Sequence, residues 1–204
     1  FGVSSYQFDA AERGFSIRFD APLDMRMNQQ DNLSAKSVIN NYEEEELRRL
    51  FKDYGELRTA SALAKAIVVA RGKAPIGTTF QLKALLGKYL PRGKQSKVLA
   101  QIYQAIRIEV NNELEVLKSF LLDAKVVLKC GGRLSVISYH SLEDRLVKRF
   151  IRHVMFEGEP DRDVFGNFDV PFKKIGKLIV PAQSEIKKNN RARSAKLRIA
   201  QKIS

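Results

Sequence analysis

Nine apolar residues, Leu99, Ile102, Ile106, Val110, Leu114, Leu117, Leu121, Ala124 and Leu128, recur at spacings of 3, 4, 4, 4, 3, 4, 3 and 4. Spacings of this kind lay one continuous apolar stripe along a helix. The stripe is core packing rather than a cofactor box, and Asn111-Asn112 is where it kinks or divides. It runs into Lys129-Cys130-Gly131-Gly132, where two glycines can take positive φ and stop a helix at little cost. Leu134, Val136 and Ile137 then predict a short buried strand over 133–138. Past that strand, Ser138, His140, Ser141, Glu143, Asp144 and Arg145 crowd into eight positions. Residues 142–156 read as the next helix, with Leu146, Val147, Phe150 and Ile151 inward. In open α/β sheets, ligands bind outside the carboxyl ends of strands. This polar loop is therefore the first candidate site.

Upstream, 1–32 reads as a long loop with turn residues at Gly2, Gly14, Pro22, Asn28, Asp31 and Asn32. Loops of about thirty residues inside a compact domain are often functional. Helices are predicted over 34–40, 43–54, 57–70 and from Thr78 or Thr79 to Lys88. Glutamates 43–46 suit a positive helix end and are not read as a metal site, because four consecutive side chains splay around the helix. Downstream, 158–176 is turn-rich, and 177–180 and 195–200 are the last two strands, a hairpin-like pair with a long connection.

Charge is unevenly placed. Residues 58–107 carry 10 basic groups and no acid, and 183–204 carry 7 basic groups and 1 acid, against a total of +13. Such blocks point to a nucleic-acid or anionic-membrane partner, with a merely solvated basic face as the plain alternative. No run of about 18 apolar residues occurs, so no membrane span is expected. The single cysteine, Cys130, has no partner at metal-ligand spacing. It is expected to be an inert structural thiol in a cytoplasmic, reducing setting, with no metal site.

Ser, His and Asp within 138–144 raise a hydrolase, but no G-x-S-x-G elbow is present and triad members normally converge from separate elements. No G-x-G-x-x-G and no G-x-x-x-x-G-K-[ST] occurs either, and the Gly131-Gly132 turn has the wrong polarity to cradle a phosphate. The helix, Gly-Gly, strand and polar-loop order fits the second half of a nucleic-acid methyltransferase.

Several long stretches carry a specific resemblance. They are Gly2-Val3-Ser4-Ser5-Tyr6-Gln7-Phe8-Asp9, Glu12-Arg13-Gly14-Phe15-Ser16, Pro22-Leu23-Asp24-Met25-Arg26-Met27, Gln104-Ala105-Ile106-Arg107-Ile108-Glu109-Val110-Asn111, residues 131–148, and 190–198. On these the chain resembles the MraW/RsmH family of S-adenosylmethionine-dependent methyltransferases acting on a cytidine N4 of small-subunit (16S) ribosomal RNA. The family often has a proline where Tyr6 stands, and a His-Pro-Ala-Thr-Arg-like segment near 95–101. The resemblance implies an α/β fold: a partial Rossmann-like methyltransferase domain with an all-helical insertion domain. The implied partition is a loop following a missing strand at 1–33, the helical insertion at 34–95, and the C-terminal half of the methyltransferase domain at 96–204. It also implies that the family's glycine-rich cofactor loop lies upstream of Phe1, so the chain is expected to be a fragment, inactive by itself.

Of the family's cofactor contacts the resemblance carries only the glutamine onto this sequence, at Gln7; Ser4 and Ser5 beside it are further candidate contacts to S-adenosylmethionine. Ser138, His140 and Asp144 are the catalytic candidates, as formers of the site rather than as a named base. Asp24, Arg26, Arg107, Arg145, Arg191 and Arg193 are the candidate substrate contacts. Plain alternatives stand beside these. His140 can cap the next helix, Glu143 and Asp144 can simply complement its dipole, Arg145 can pair with them, and Asp24 and Arg26 can tie down the long loop. His153 reads as structural. The expected partner is small-subunit ribosomal RNA or the assembled subunit, and a homodimer is left open. The competing reading is a non-catalytic RNA-binding or ribosome-assembly protein; a third is a related amine methyltransferase with another RNA substrate.

Overall fold

The computed structural model describes residues 2–158 and 170–204. The chain falls into two compact units, Val3–Glu113 and a second made of Leu114–Ser204 with the first two residues.

The first unit is helical. Its elements are α1 (Ser5–Asp9), α2 (Ala35–Asn41), α3 (Glu44–Asp53), α4 (Ala60–Arg71), α5 (Thr79–Gly87) and α6 (Gln95–Val110). Side-chain caps open several of them. Ser34 accepts from the Ser37 amide, Thr78 accepts from Gln81, and Glu43 with Glu46 forms a reciprocal capping box that satisfies orphan N–H groups. One core joins Leu47, Leu50 and Phe51 of α3, Leu63 and Ile67 of α4, Leu82 and Leu86 of α5, and Leu99, Ile102 and Ile106 of α6.

The segment expected to be a plain loop is corrected by the structure. It contains α1 and a 3-10 turn at Ala11–Arg13, and Phe15, Leu23 and Met25 are buried in the same core. Irregular backbone can be buried only if its polar groups find partners. The Leu23 amide donates to Gly77 O (3.0 Å), Met25 N to Arg13 O (3.0 Å), and Ala35 N to Asp24 O (2.7 Å). Asn111 serves the same segment: its Oδ1 accepts from Met27 N at 2.6 Å and its Nδ2 donates to Met25 O at 2.8 Å. Gly14 is required here, because its φ is +68° and an added Cβ would stand 2.3 Å from Pro22 O.

The long stripe divides at Asn111-Asn112, where Asn112 has φ +50°. The division gives α6 and a separate α7 (Glu113–Val127).

The second unit holds β1 (Arg133–Ser138), α8 (Ser141–His153), β2 (Phe172–Ile179), α9 (Gln183–Lys188) and β3 (Lys196–Lys202). The sheet order is β1-β3-β2, with both pairings antiparallel. One face packs Leu134, Val136, Phe172 and Ala200 against Val147, Phe150 and Ile151 of α8 and Leu117 and Leu121 of α7. Phe150 stacks on Phe156 with centroids 5.5 Å apart. Two expectations change. Ile137 is 45% exposed, because strict alternation turns Leu134, Val136 and Ser138 inward and Ile137 out. The turn-rich reading of 158–176 falls partly, at 159–169, outside the described residues, but β2 already begins at Phe172. Gly176, with φ +66°, marks the register shift between Ile175 and Ile179, so this glycine belongs to a bulge rather than a turn. Cys130 is exposed, and its Sγ donates to Ile203 O at 3.4 Å. Among the described residues no helix is long and apolar enough to cross a membrane.

Candidate active site

The loop leaving β1 is built around a buried carboxylate that sequence reading treated only as a dipole complement. Glu143 is 2% exposed. Its Oε2 accepts from the backbone N–H of Tyr139 at 2.8 Å and of His140 at 3.3 Å. In return His140 Nδ1 accepts from the Glu143 amide at 3.5 Å, so His140 is the N-cap of α8 and the pair forms a capping box. His140 Nε2 lies 3.3 Å from Glu143 Oε1, within ion-pair reach but without hydrogen-bond alignment. Burial alone would raise the Glu143 carboxyl. The adjacent His140 ring and the two loop amides outweigh burial and hold it below its ordinary value. Gly2 closes on the same group: a Cβ there would stand 3.6 Å from Glu143 Oε1.

One residue on, Asp144 points to the sheet. Arg198 grips it in two places, Nε to Oδ1 at 2.7 Å and Nη2 to Oδ2 at 3.1 Å, and Lys196 Nζ lies 3.3 Å from Oδ2. The register explains the meeting. Ser138 pairs with Lys196 and Val136 with Arg198, so both cations lie on the inward face of β3, beneath the start of α8. Burial would raise Asp144 too, but Arg198 first and Lys196 second lower it. Ser138 is buried, and its hydroxyl donates to Lys196 O at 3.4 Å. Ser138, His140 and Asp144 are thus brought together at the end of β1, each with a partner of its own. Arg145 is exposed on α8, and Arg191 and Arg193 are exposed on a 3-10 turn, Asn190–Ser194.

The other candidates lie in the helical unit. Gln7 caps α1: its Oε1 accepts from Ser4 N at 3.2 Å and its backbone N–H donates to Ser4 Oγ at 3.4 Å. That leaves the Gln7 Nε2 as a donor for a ligand. The Ser5 side chain lies outside the described residues. Arg26 holds Asp24 through Nε to Oδ1 (2.7 Å) and Nη2 to Oδ2 (3.1 Å), while its Nη1 donates to Gln29 O and Asp31 O. Burial would raise Asp24, but the Arg26 hydrogen bonds bring it below the ordinary range. This pair ties down the irregular segment. The Arg107 fork is occupied by Glu113, at 2.7 and 3.1 Å.

The sequence places Glu143 in the candidate loop but does not show that it holds the loop, and it does not single out Lys196 or Arg198. Glu143 stands three residues after His140, the spacing of a capping box. Arg198 and Lys196 meet Asp144 across more than fifty residues of sequence, and no local pattern announces that.

Comparison with known proteins gives a consistent picture. The family model described as "MraW methylase family" matches residues 1–203. The chain is 67% identical over 202 residues to a protein of Flavobacterium johnsoniae named ribosomal RNA small subunit methyltransferase H, covering 99% of this chain and 67% of that protein. A protein of the same name from Christiangramia forsetii is 64% identical over 203 residues, covering 100% and 67%. One from Bacteroides thetaiotaomicron is 50% identical over 202 residues, covering 98% and 66%.

Proposed function

Because the chain belongs to the MraW methylase family, we propose that it supplies the nucleobase-facing part of an enzyme that methylates N4 of a cytidine in small-subunit ribosomal RNA, with S-adenosylmethionine as methyl donor. The relatives that share its sequence carry the name of a small-subunit ribosomal RNA methyltransferase. The observation that carries the reading is the loop after β1, which a buried carboxylate holds in one shape at a strand's carboxyl end. The fold proposed with it is Rossmann-like, interrupted by a helical insertion over 34–95 between parts at 1–33 and 96–204.

A cytosine exocyclic amine is a weak nucleophile, because its lone pair is delocalised into the ring. Rate comes from orienting that nitrogen and accepting its hydrogen bonds. The roles proposed for the residues follow from their partners. Glu143 fixes the positions of residues 139 and 140. His140 shapes the loop rather than acting as base, since its Nδ1 is engaged as a cap. Asp144, neutralised by Arg198 and Lys196, is a poor proton acceptor. Water is left to take the amine proton. The base must be splayed out of any pairing to expose its amine. The remaining proposed substrate contacts, Arg145, Arg191 and Arg193, are exposed cations suited to phosphate.

S-adenosylmethionine supplies an electrophilic sulfonium methyl. Gln7 and Ser4 offer it polar groups, but the described residues do not themselves build a donor site. The groove beside α8 is lined by Lys148, Arg152, Lys174, Lys177 and Arg198, which repel a sulfonium. The 204-residue chain alone is therefore proposed to be inactive.

The test is methyl transfer from radiolabelled S-adenosylmethionine to small subunits of a strain lacking this modification, using the chain extended to its relatives' full length. The label is expected on one cytidine. Label on a different base or RNA rejects the substrate. Failure of transfer with RNA binding intact favours a non-catalytic assembly protein.

A further inference from the structure

Lys148 and Arg152 stand one turn apart on α8. Lys174 and Lys177 stand on β2, and with Arg198 of β3 these residues line a small open groove of about 70 Å³. Ile151 and Leu178 add apolar lining. Lys148, Arg152, Lys174 and Lys177 are exposed, and among the described residues no side chain of the four forms an ion pair or a hydrogen bond. Arg198 alone is neutralised, by Asp144. Packing does not call for the four free cations, because α8 is held to the sheet by Val147, Phe150 and Ile151. Like charges around one concave, partly apolar groove repel each other, and its lining focuses their field. An anion in the groove relieves that repulsion.

The anion best suited is a linear one. The cations come from two elements, a helix and a strand, an arrangement that follows a chain of phosphates better than it surrounds a single ion. A concave, cation-lined surface does not suit insertion into a bilayer, which needs an apolar face presented outward. Among the described residues, the lining offers no Asn, Gln or aromatic side chain for reading or stacking a base.

We propose that the groove between α8 and β2 binds backbone phosphates of the RNA substrate, independently of sequence, as a contact separate from the loop that faces the reacting base. The proposal rests on the ribosomal RNA reading, which supplies the polyanion.

The test is fluorescence anisotropy of a labelled small-subunit ribosomal RNA fragment, titrated with the 204-residue chain over a range of KCl concentrations. The variant K148Q/R152Q/K174Q/K177Q is expected to bind roughly 25- to 600-fold more weakly at about 0.1 M salt, as two to four phosphate contacts are lost, with a salt slope shallower by about 0.7 per contact. K148R/K174R/K177R is expected to bind like the parent. K36Q/K52Q/K125Q/K129Q, which removes the same charge elsewhere, is expected to stay within a few-fold of it. If the quadruple groove variant does not fold, K148Q/K174Q carries the test with a smaller loss. A groove variant that binds as tightly as the parent overturns the proposal and leaves the ribosomal RNA reading standing. An equal loss in the charge control overturns it in favour of a net-charge effect. A parent chain that ignores RNA, or prefers phosphatidylserine vesicles to it, overturns both the groove and the RNA reading.

Discussion

Replacing Glu143 with alanine tests the local reasoning most directly. The substitution leaves two backbone N–H groups, of Tyr139 and His140, without their acceptor at a site where the side chain is 2% exposed. Hydrogen bonds to a charged group are worth about 1.5–3 kcal/mol each. The 2.8 Å bond falls inside that range and the 3.3 Å bond contributes less. With a few tenths more for the lost charge at the α8 N-terminus, Glu143→Ala is expected to destabilise the Leu114–Ser204 unit by about 3 kcal/mol. Glu143→Gln keeps one acceptor oxygen and is expected to lose about 1–2 kcal/mol. Urea denaturation measures the total. Amide hydrogen exchange localises it, with protection falling first at Tyr139, His140 and the opening turn of α8. The pH dependence follows from the depressed carboxyl. Its folded value lies below the unfolded one, so its stabilisation is complete above the ordinary glutamate value near 4.5 and is lost as pH falls through the folded value. The parent therefore weakens on acidification, and Glu143→Gln weakens less over the same interval. A loss under about 0.5 kcal/mol for the alanine variant, with exchange at Tyr139 and His140 unchanged, would refute the view that this carboxylate holds the loop.

Three further outcomes are expected. Arg198→Met strips the bidentate partner from Asp144 and should cost the same unit about 3 kcal/mol in urea denaturation, with part recovered in Asp144→Asn/Arg198→Met. Gly14→Ala forces a Cβ to within 2.3 Å of Pro22 O at a φ of +68°, and should lower the stability of the helical unit by more than about 2 kcal/mol, read by thermal melting. Asn111→Ala removes hydrogen bonds to Met25, Met27 and Arg107, and should cost about 2–3 kcal/mol while opening residues 24–32 to limited proteolysis.

What could be read beforehand followed the range of the forces involved. The stripe from Leu99 to Leu128 was legible because helical periodicity is local, and Asn111-Asn112 marked its division. The start of a helix at Thr78 or Thr79 was legible for the same reason. Ile137 reads as buried only if Leu134, Val136 and Ile137 form one apolar run, whereas a strand with one buried face sorts them by parity. Phe15, Leu23 and Met25 escaped notice because they are buried from irregular backbone, whose side chains follow no period. At the site, residues 138–144 were found from composition alone. What holds them was not: Arg198 reaches Asp144 only through the pairing of β1 with β3.

That pairing also governs the order in which the molecule can be made. β3 lies between β1 and β2, and those two strands share no ladder with each other. During synthesis, β1, α8 and β2 emerge before the strand that joins them. Leu134 and Val136 then wait with an open edge on either side and only helices to cover them. This is an interval in which an unpaired strand is exposed to intermolecular association. Chain termination anywhere before Lys196 would leave both earlier strands unpaired and Asp144 without either of its cations. Assembly of this half of the protein is therefore decided late, by a seven-residue segment, Lys196–Lys202, that closes the sheet and neutralises the site in one event.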